Sequence, residues 1–226
     1  SFIDTESPLS ANKYDIVTHS TTIVFRNNTV DFSAISDEIG SIQILSIGNI
    51  KISDSTFTQI KENGAVYYNS GVNGGSTESF TVENCNFVEC KGVCCYMNIA
   101  SGSSEKVYIN SNTFNNCQKN NLNHVSIYIS ETANSISLEI DGNTFSNSPA
   151  SFSSIYTLTL ALNRAPNDLE PISFKHNSII YDDPNKATFG ILLKQENREI
   201  TIHNCTFRHC YKGGEPYWAS SLIVDS

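Results

Sequence analysis

Acidic side chains are the first candidates for chemistry in this sequence, because two carboxylates facing each other across a sugar can hydrolyse a glycosidic bond. Asp182 and Asp183 are adjacent. Asp54, Glu83 and Asp141 recur in three copies of a repeated motif, but Asp54 stands one position away from the other two. Acids at polar bends usually face water. We therefore predict solvated bend residues and no catalytic residue.

Histidine and cysteine side chains raise the question of a metal site. His203, Cys205, His209 and Cys210 fall within one short stretch. A tetrahedral zinc ion needs its ligands to converge on one point. Alternation of side chains along a strand would instead distribute these four over both faces. We therefore predict no metal and no cofactor.

The chain contains seven cysteines, so at least one is unpaired within the chain. Cys90 and Cys117 occupy the same position in successive copies of the motif, where a disulfide could form. Ile60 and Ser148 occupy that position in other copies. This replacement pattern is typical of small buried residues. It favours stacked free thiols, with a Cys90–Cys117 disulfide as the alternative.

One repeated motif must position all of these side chains. Its anchor is an apolar residue that recurs 27 to 34 residues apart. Apolar residues stand seven and five positions before each anchor, which is the period-two pattern of a strand with one buried face. Small polar residues or cysteine stand two positions before the anchor and indicate a bend. The anchors are Val30, Phe57, Phe87, Phe114, Phe145, Ile179 and Phe207.

A strand that occurs once per repeat has no partner within its own repeat. It must pair in parallel with its copies in neighbouring repeats, about 4.8 Å away. The chirality of parallel connections makes such a stack right-handed. The sequence therefore predicts an all-β fold, a single-stranded right-handed parallel β-helix (a solenoid) of about seven coils. A leucine-rich-repeat solenoid is disfavoured because no helical period fills the gaps between motifs.

Stacked coils turn each motif position into a column of side chains. Amides at a bend can hydrogen-bond along the stack and to the bend backbone, where water is partly excluded. Aromatic anchors can stack in the interior. Two structural ladders are predicted: Asn28, Asn112, Asn143 and Asn177, and Phe57, Phe87, Phe114, Phe145 and Phe207.

A second apolar strand follows most anchors, usually after a glycine such as Gly64 or Gly92. Aligning the residues that open these strands predicts that Tyr68, Tyr96 and Tyr128 form one exposed aromatic column. Aromatic rings on a flat sheet suit sugar rings or a protein partner, so this column is the candidate binding site. Stacking that only stabilises the sheet is the alternative.

Length and charge restrict the organisation and the partners. The 226 residues fit one elongated domain, with residues 1–22 as an N-terminal lead-in or cap and residues 23–226 as the β-helix. The net charge of −9 disfavours nucleic acid and anionic membrane surfaces. No apolar run approaches the roughly 18 residues of a membrane span, so we expect no direct membrane insertion. The chain begins at Ser1, and we expect it to be part of a longer chain or a mature product.

Three copies of the motif carry the pattern F-x-x-C, at Phe87–Cys90, Phe114–Cys117 and Phe207–Cys210, and Asn63–Val66 reads Asn-Gly-Ala-Val. Together they resemble the F-x-x-N and G-G-A-I repeats of polymorphic outer membrane proteins, with cysteine in place of asparagine. The resemblance spans about residues 23–210. It implies cell-surface display, adhesion or antigenic variation, and it transfers no catalytic residue.

We therefore predict a non-catalytic, cell-surface or secreted repeat protein. Its loop edge and flat faces would bind a glycan or protein partner at the cell surface, because insertions on one face of a solenoid often form the binding site. Two alternatives stay open: a β-helix polysaccharide lyase or glycoside hydrolase, and a structural rod segment. Glycosylation sequons at Asn27 and Asn204 fall at bends and permit modification in a secretory context.

Overall fold

The computed structural model has an all-β fold built from parallel strands. No helix occurs among the residues that the structure describes. These are residues 14–18, 22–31, 40–44, 49–60, 65–69, 78–90, 94–99, 104–117, 125–129, 135–146, 156–162, 172–180, 189–194, 200–208 and 222–225.

The described part of the chain contains 22 short strands. In chain order they are β1 (Tyr14–Thr18), β2 (Thr22–Arg26), β3 (Thr29–Asp31), β4 (Gly40–Ile44), β5 (Asn49–Ser53), β6 (Thr56–Thr58), β7 (Val66–Asn69), β8 (Ser79–Glu83), β9 (Asn86–Val88), β10 (Cys95–Ile99), β11 (Ser104–Asn110), β12 (Thr113–Asn115), β13 (Val125–Ile129), β14 (Ser135–Asp141), β15 (Thr144–Ser146), β16 (Tyr156–Leu162), β17 (Ile172–Lys175), β18 (Ser178–Ile180), β19 (Phe189–Lys194), β20 (Ile200–His203), β21 (Thr206–Arg208) and β22 (Leu222–Asp225).

The strands form three parallel sheets, which the chain visits in turn. The first sheet has the order β1-β4-β7-β10-β13-β16-β19-β22, the second β2-β5-β8-β11-β14-β17-β20, and the third β3-β6-β9-β12-β15-β18-β21. Each strand therefore pairs with its counterparts in the preceding and following repeats, as expected when a repeat holds no partner of its own.

The second sheet keeps the apolar positions of the motif in register. Phe80 lies opposite Val107, which lies opposite Leu138, and all three are buried. The side chains between the apolar positions are partly exposed, as at Tyr108 and Glu139. Period-two alternation therefore turns one face of this sheet towards the core and the other towards water.

A column of phenylalanine rings fills the core beside the third sheet. The ring centroids of Phe114 lie 4.8 Å from those of Phe87 and of Phe145, and the rings are within 5° of parallel. This separation equals the spacing between parallel strands, so one ring per repeat stacks on the next. Phe57 extends the stack and is fully buried, whereas Phe207 is partly buried opposite Ile179.

A bend with a left-handed residue joins the second sheet to the third sheet in each repeat. Asparagine, aspartate and glycine tolerate this conformation best, because a short polar side chain or a missing Cβ relieves the clash with the backbone. The backbone is tied between repeats here: the N–H of Asp54 donates to Glu83 O at 3.1 Å, and that of Ser111 to Asp141 O at 2.8 Å. The left-handed residues at this bend are Asn27, Asp54, Asn84, Ser111, Gly142, His176 and Asn204.

The N-terminal segment contributes a strand to the first sheet. β1 lies within residues 1–22 and pairs with β4, with Tyr14 opposite Gly40. At least part of the predicted lead-in therefore belongs to the sheet. In the described residues, no helix has the length and hydrophobicity needed to cross a membrane.

Candidate functional site

The asparagines two positions before the anchors form a hydrogen-bonded column in the core. Asn112, Asn143 and Asn177 are buried. The side-chain amide of Asn112 donates to Asn143 Oδ1 at 3.0 Å, and that of Asn143 to Asn177 Oδ1 at 2.9 Å. Each amide also donates to a carbonyl of the preceding repeat, for example Asn143 Nδ2 to Ile109 O at 2.6 Å. These three repeats are thus tied to one another through side chains and backbone together.

Other residue types continue this column towards the N-terminus. The backbone N–H of Cys85 donates to Asn112 Oδ1 at 2.9 Å, and that of Asn28 donates to Ser55 Oγ at 3.2 Å. Asn28 is only partly buried, and its side-chain amide turns back to Arg26 O. The column is therefore structural along its described length.

The first sheet places the tyrosines differently from the sequence prediction. Tyr68 is fully buried and stacks on Phe80, with ring centroids 4.6 Å apart. It cannot form part of an exposed binding column. Tyr67, the preceding residue, is the one that reaches the surface, where it is partly buried.

Tyr67 and Tyr96 form a stacked pair on the outer face of the first sheet. Their ring centroids are 4.9 Å apart and their planes differ by 9°. Cross-strand aromatic pairs of this kind stabilise a sheet. Each ring turns one face to the other.

Tyr128 does not continue this pair. In the register of the first sheet, Tyr96 lies opposite Ser126, and Tyr128 lies opposite Asn98. The predicted column of Tyr68, Tyr96 and Tyr128 is therefore wrong. For Tyr68 the reason is a one-residue shift: Cys95 pairs with Val66, whereas alignment by the opening glycines pairs Cys94 with Val66, and such a shift moves every side chain to the opposite face. For Tyr128 the alignment is off by two residues, because Cys95 pairs with Val125.

The three motif acids lie at the surface, and each contacts a residue of the neighbouring repeat. Glu83 forms an ion pair with Lys51. Asp141 contacts His176 Nδ1 at 2.8 Å. The amide of Asn84 lies 3.4 Å from Asp54 Oδ1.

The same use of carboxylates extends to other described repeats. Gln59 donates to Glu89 at 2.9 Å, and Asn110 donates to Glu139 at 3.1 Å. Asn49 donates to Glu78 at 2.7 Å. These contacts run along the stack of strands and connect one repeat with the next. The carboxylates in these contacts therefore belong to several different repeats.

Several sequence candidates lie partly or wholly outside the described residues. Asp182, Asp183, His209 and Cys210 all belong to this group. Of the stretch considered for zinc, His203 is exposed, and Cys205 is half-buried with its thiol donating to Phe174 O and His203 O at 3.5 and 3.4 Å.

A cluster of three cysteines is the feature that motif reasoning missed. The sulfur atoms of Cys90, Cys94 and Cys117 all lie within 4.8 Å of one another, and the three residues are fully buried. They are free thiols, so the favoured state of Cys90 and Cys117 is confirmed. Cys94 precedes β10, and the alignment by opening glycines would place it on the outer face with Tyr96, which stands two residues later. Its spacing of four residues from Cys90 is the only signal in the sequence.

The cluster has unusual acid–base properties. Burial raises the pKa of Cys94 and Cys117 well above the ordinary thiol value. At Cys90 burial acts in the same direction, but hydrogen bonds from the thiols of Cys117 and Cys94 and from the backbone of Ile60 outweigh it and hold its pKa well below that value.

Comparison with known proteins returned no matching family model, no matching curated protein and no matching solved structure. The resemblance to polymorphic outer membrane protein repeats therefore stays a prediction from the motif residues. The function proposed below therefore depends on the residues and contacts described above.

Proposed function

We propose that this protein is a non-catalytic, secreted or cell-surface parallel β-helix that binds a glycan or a protein through its flat faces and loop edge. The fold within this proposal is a single-stranded right-handed solenoid. The order of the strands supports it, because the chain passes through the first, second and third sheets in turn and then returns to the first. Parallel connections of this kind are right-handed in nearly all proteins.

The contacts made by the carboxylates are the main support for the proposal that the protein is non-catalytic. Glycoside hydrolysis needs two carboxyl groups facing each other about 5–10 Å apart across a substrate. Several of the described acids instead contact residues of neighbouring repeats, as Glu83 does with Lys51 and Asp141 with His176. Acids that tie repeats together across an open surface favour a structural role over acid–base catalysis.

A polar column on the third sheet supports a role in binding. Its members stand one position before each anchor, lie in register from one repeat to the next, and are exposed or partly exposed. Hydroxyl and amide groups at the regular spacing of a sheet offer evenly placed donors and acceptors to a glycan or an extended peptide. The column consists of Thr29, Thr56, Asn86, Thr113, Thr144, Ser178 and Thr206.

Binding and cleavage can be tested in the same samples. The protein would be incubated with a panel of acidic and neutral polysaccharides, and both retention of the protein and the chain length of the glycan would be measured. We expect binding to at least one glycan with no shortening of the chain. Cleavage would overturn the non-catalytic proposal and direct attention to Asp182 and Asp183.

Matched variants locate the binding face. Thr113→Val and Thr144→Val remove hydroxyls from the third sheet while preserving shape, and Tyr96→Ala opens the stacked pair on the first sheet. Thr81→Val is the control, because Thr81 is partly exposed on the second sheet. If glycans do not bind, the partner is a protein or a further copy of the chain, and pull-down from cell-surface extracts with the same variants distinguishes these outcomes.

A further inference from the structure

The three buried thiols of Cys90, Cys94 and Cys117 are arranged as a ligand set. Their sulfur atoms form a triangle with no side longer than 4.8 Å. Cys90 and Cys117 come from consecutive repeats at the same position, and Cys94 reaches them from the start of β10. The position three residues after the anchors and the residue directly before β10 therefore meet at one point in the core.

The contacts of these thiols are compatible with replacement of their protons by a metal ion. The thiol of Cys90 lies 3.6 Å from Phe57 O and 3.7 Å from Val88 O, and the thiol of Cys117 lies 3.6 Å from Phe87 O and 3.5 Å from Asn115 O. Such S–H contacts are weak, so little is lost when a sulfur exchanges its proton for a metal.

The donor set restricts the choice of metal. Thiolates are soft ligands that select Cu(I), zinc and iron–sulfur centres over magnesium or calcium. Structural zinc takes four ligands in a tetrahedron. Among the described residues the group contains three sulfurs and no fourth cysteine, histidine or carboxylate. Three thiolates suit a soft Cu(I) ion, whereas a structural zinc ion would lack its fourth protein ligand.

We propose that Cys90, Cys94 and Cys117 form a buried three-coordinate site for a single Cu(I) ion. On binding, each thiol releases its proton to solvent and forms one Cu–S bond, and no electron is transferred because copper enters as Cu(I). The three thiolates leave a net negative charge around the ion. This site is distinct from the surface proposed for glycan or protein binding.

The experiment measures Cu(I) binding to the fully reduced protein under anaerobic conditions, in competition with a chromophoric Cu(I) chelator. Copper is supplied to the folded protein and also during refolding from urea, so that slow access to the core does not hide the site. We expect one Cu(I) per chain, with emission typical of a solvent-shielded Cu(I)–thiolate centre. X-ray absorption of the loaded wild-type protein should show three sulfur neighbours.

Matched variants test the assignment. Cys94→Ala should weaken Cu(I) binding by more than the roughly 10–100-fold that loss of an outer partner costs a metal site. Cys85→Ser and Cys205→Ala remove thiols outside the triangle and should leave the affinity unchanged. If Cys94→Ala does not fold, the sulfur count from X-ray absorption decides the question on the wild-type protein alone.

Three outcomes would overturn the proposal. The first is no stoichiometric Cu(I) under either loading condition. The second is equal binding by wild-type protein and Cys94→Ala with a sulfur count other than three. The third is a tighter, four-coordinate complex with Zn(II), which would show that the site is tetrahedral. Either of the first two outcomes would leave the cluster as small apolar residues of the core, and the third would make it a zinc site.

Discussion

Asn112 donates both its backbone N–H and its side-chain Nδ2 to the single oxygen Oδ1 of Asn143, at 2.9 and 3.0 Å. The two residues stand 31 positions apart in the sequence and in adjacent repeats. The same pair of contacts joins Asn143 to Asn177. The buried amides of Asn112, Asn143 and Asn177 therefore each satisfy the backbone of the repeat before them, which makes the column a main determinant of stability.

Replacing Asn143 with alanine should lower the free energy of unfolding by about 3 kcal/mol or more. The change leaves two donors of Asn112 and the carbonyl of Ile109 buried without their partner, and each such group costs about 1–3 kcal/mol. Urea unfolding followed by circular dichroism measures the loss. Asn86→Thr is the control, since Asn86 is partly exposed and Thr113 fills the same position in the next repeat. Equal losses in the two variants would contradict a role for the column.

Phe114→Ala should cost about 3–5 kcal/mol, the usual range for removing a fully buried aromatic ring. Phe114 lies between Phe87 and Phe145, so the change opens a cavity inside the stack. Thermal and urea unfolding both report the change. The neighbouring Thr113→Ser, at an exposed position, should stay within about 0.5 kcal/mol of the wild type. A loss below about 1 kcal/mol for Phe114→Ala would show that the stack collapses freely around the gap.

Two adjacent tyrosines should respond very differently to truncation. Tyr68→Ala removes a fully buried ring that stacks on Phe80, and we expect a loss of about 3–5 kcal/mol. Tyr67→Ala breaks the half-exposed pair with Tyr96, and cross-strand pairs contribute about 0.2–1 kcal/mol. Unfolding curves of the two variants test the register of the first sheet directly. A larger loss for Tyr67→Ala than for Tyr68→Ala would mean that Tyr67 is the buried ring and Tyr68 the exposed one, as the sequence predicts.

Stability should fall between pH 9 and pH 11. Burial, reinforced by the charges of Asp54 and Glu83, raises the pKa of Cys85 from 9.0 to about 11. In this range the thiol ionises in the unfolded chain but stays protonated in the folded one, so the unfolded state gains up to about 3 kcal/mol. Below pH 9 the thiol is neutral in both states and contributes no pH dependence.

The variant Cys85→Ser isolates this contribution. Serine occupies the same position at Ser55 in the preceding repeat, so it should fit without disturbing the bend. Urea unfolding of reduced protein at pH 7.5, 9 and 10.5 should show a smaller alkaline loss for Cys85→Ser than for the wild type. Identical slopes would mean that Cys85 has an ordinary pKa in the folded protein.

Secretion from a eukaryotic host should add glycans at Asn27 and Asn204. Both side chains are exposed and stand at left-handed bends in the first and last described copies of the motif. Thr29→Val and Thr206→Val each destroy one sequon without altering the bend residue, and each should remove one glycan by mass spectrometry. Thr113→Val, which lies in no sequon, should leave the glycan count unchanged. An unglycosylated secreted protein would argue against this surface assignment.

The sequence alone determined the repeat and the interior of the second and third sheets. Phe87 and Phe114 each follow a strand and a two-residue bend of fixed length, so their register is set by residues close in the chain. Apolar alternation and small polar bend residues report such local geometry directly. The columns of asparagine and phenylalanine could be predicted for the same reason.

Only the tertiary structure decided the register of the first sheet and the convergence of the cysteines. Segments of varying length connect that sheet to its neighbours, so an alignment on Gly64 and Gly92 is free to slip by one residue. In a period-two strand this slip exchanges the buried and exposed faces, as it does for Tyr67 and Tyr68. Cys94 meets Cys90 and Cys117 because two sheets close around one core, and no spacing within a single motif records that contact.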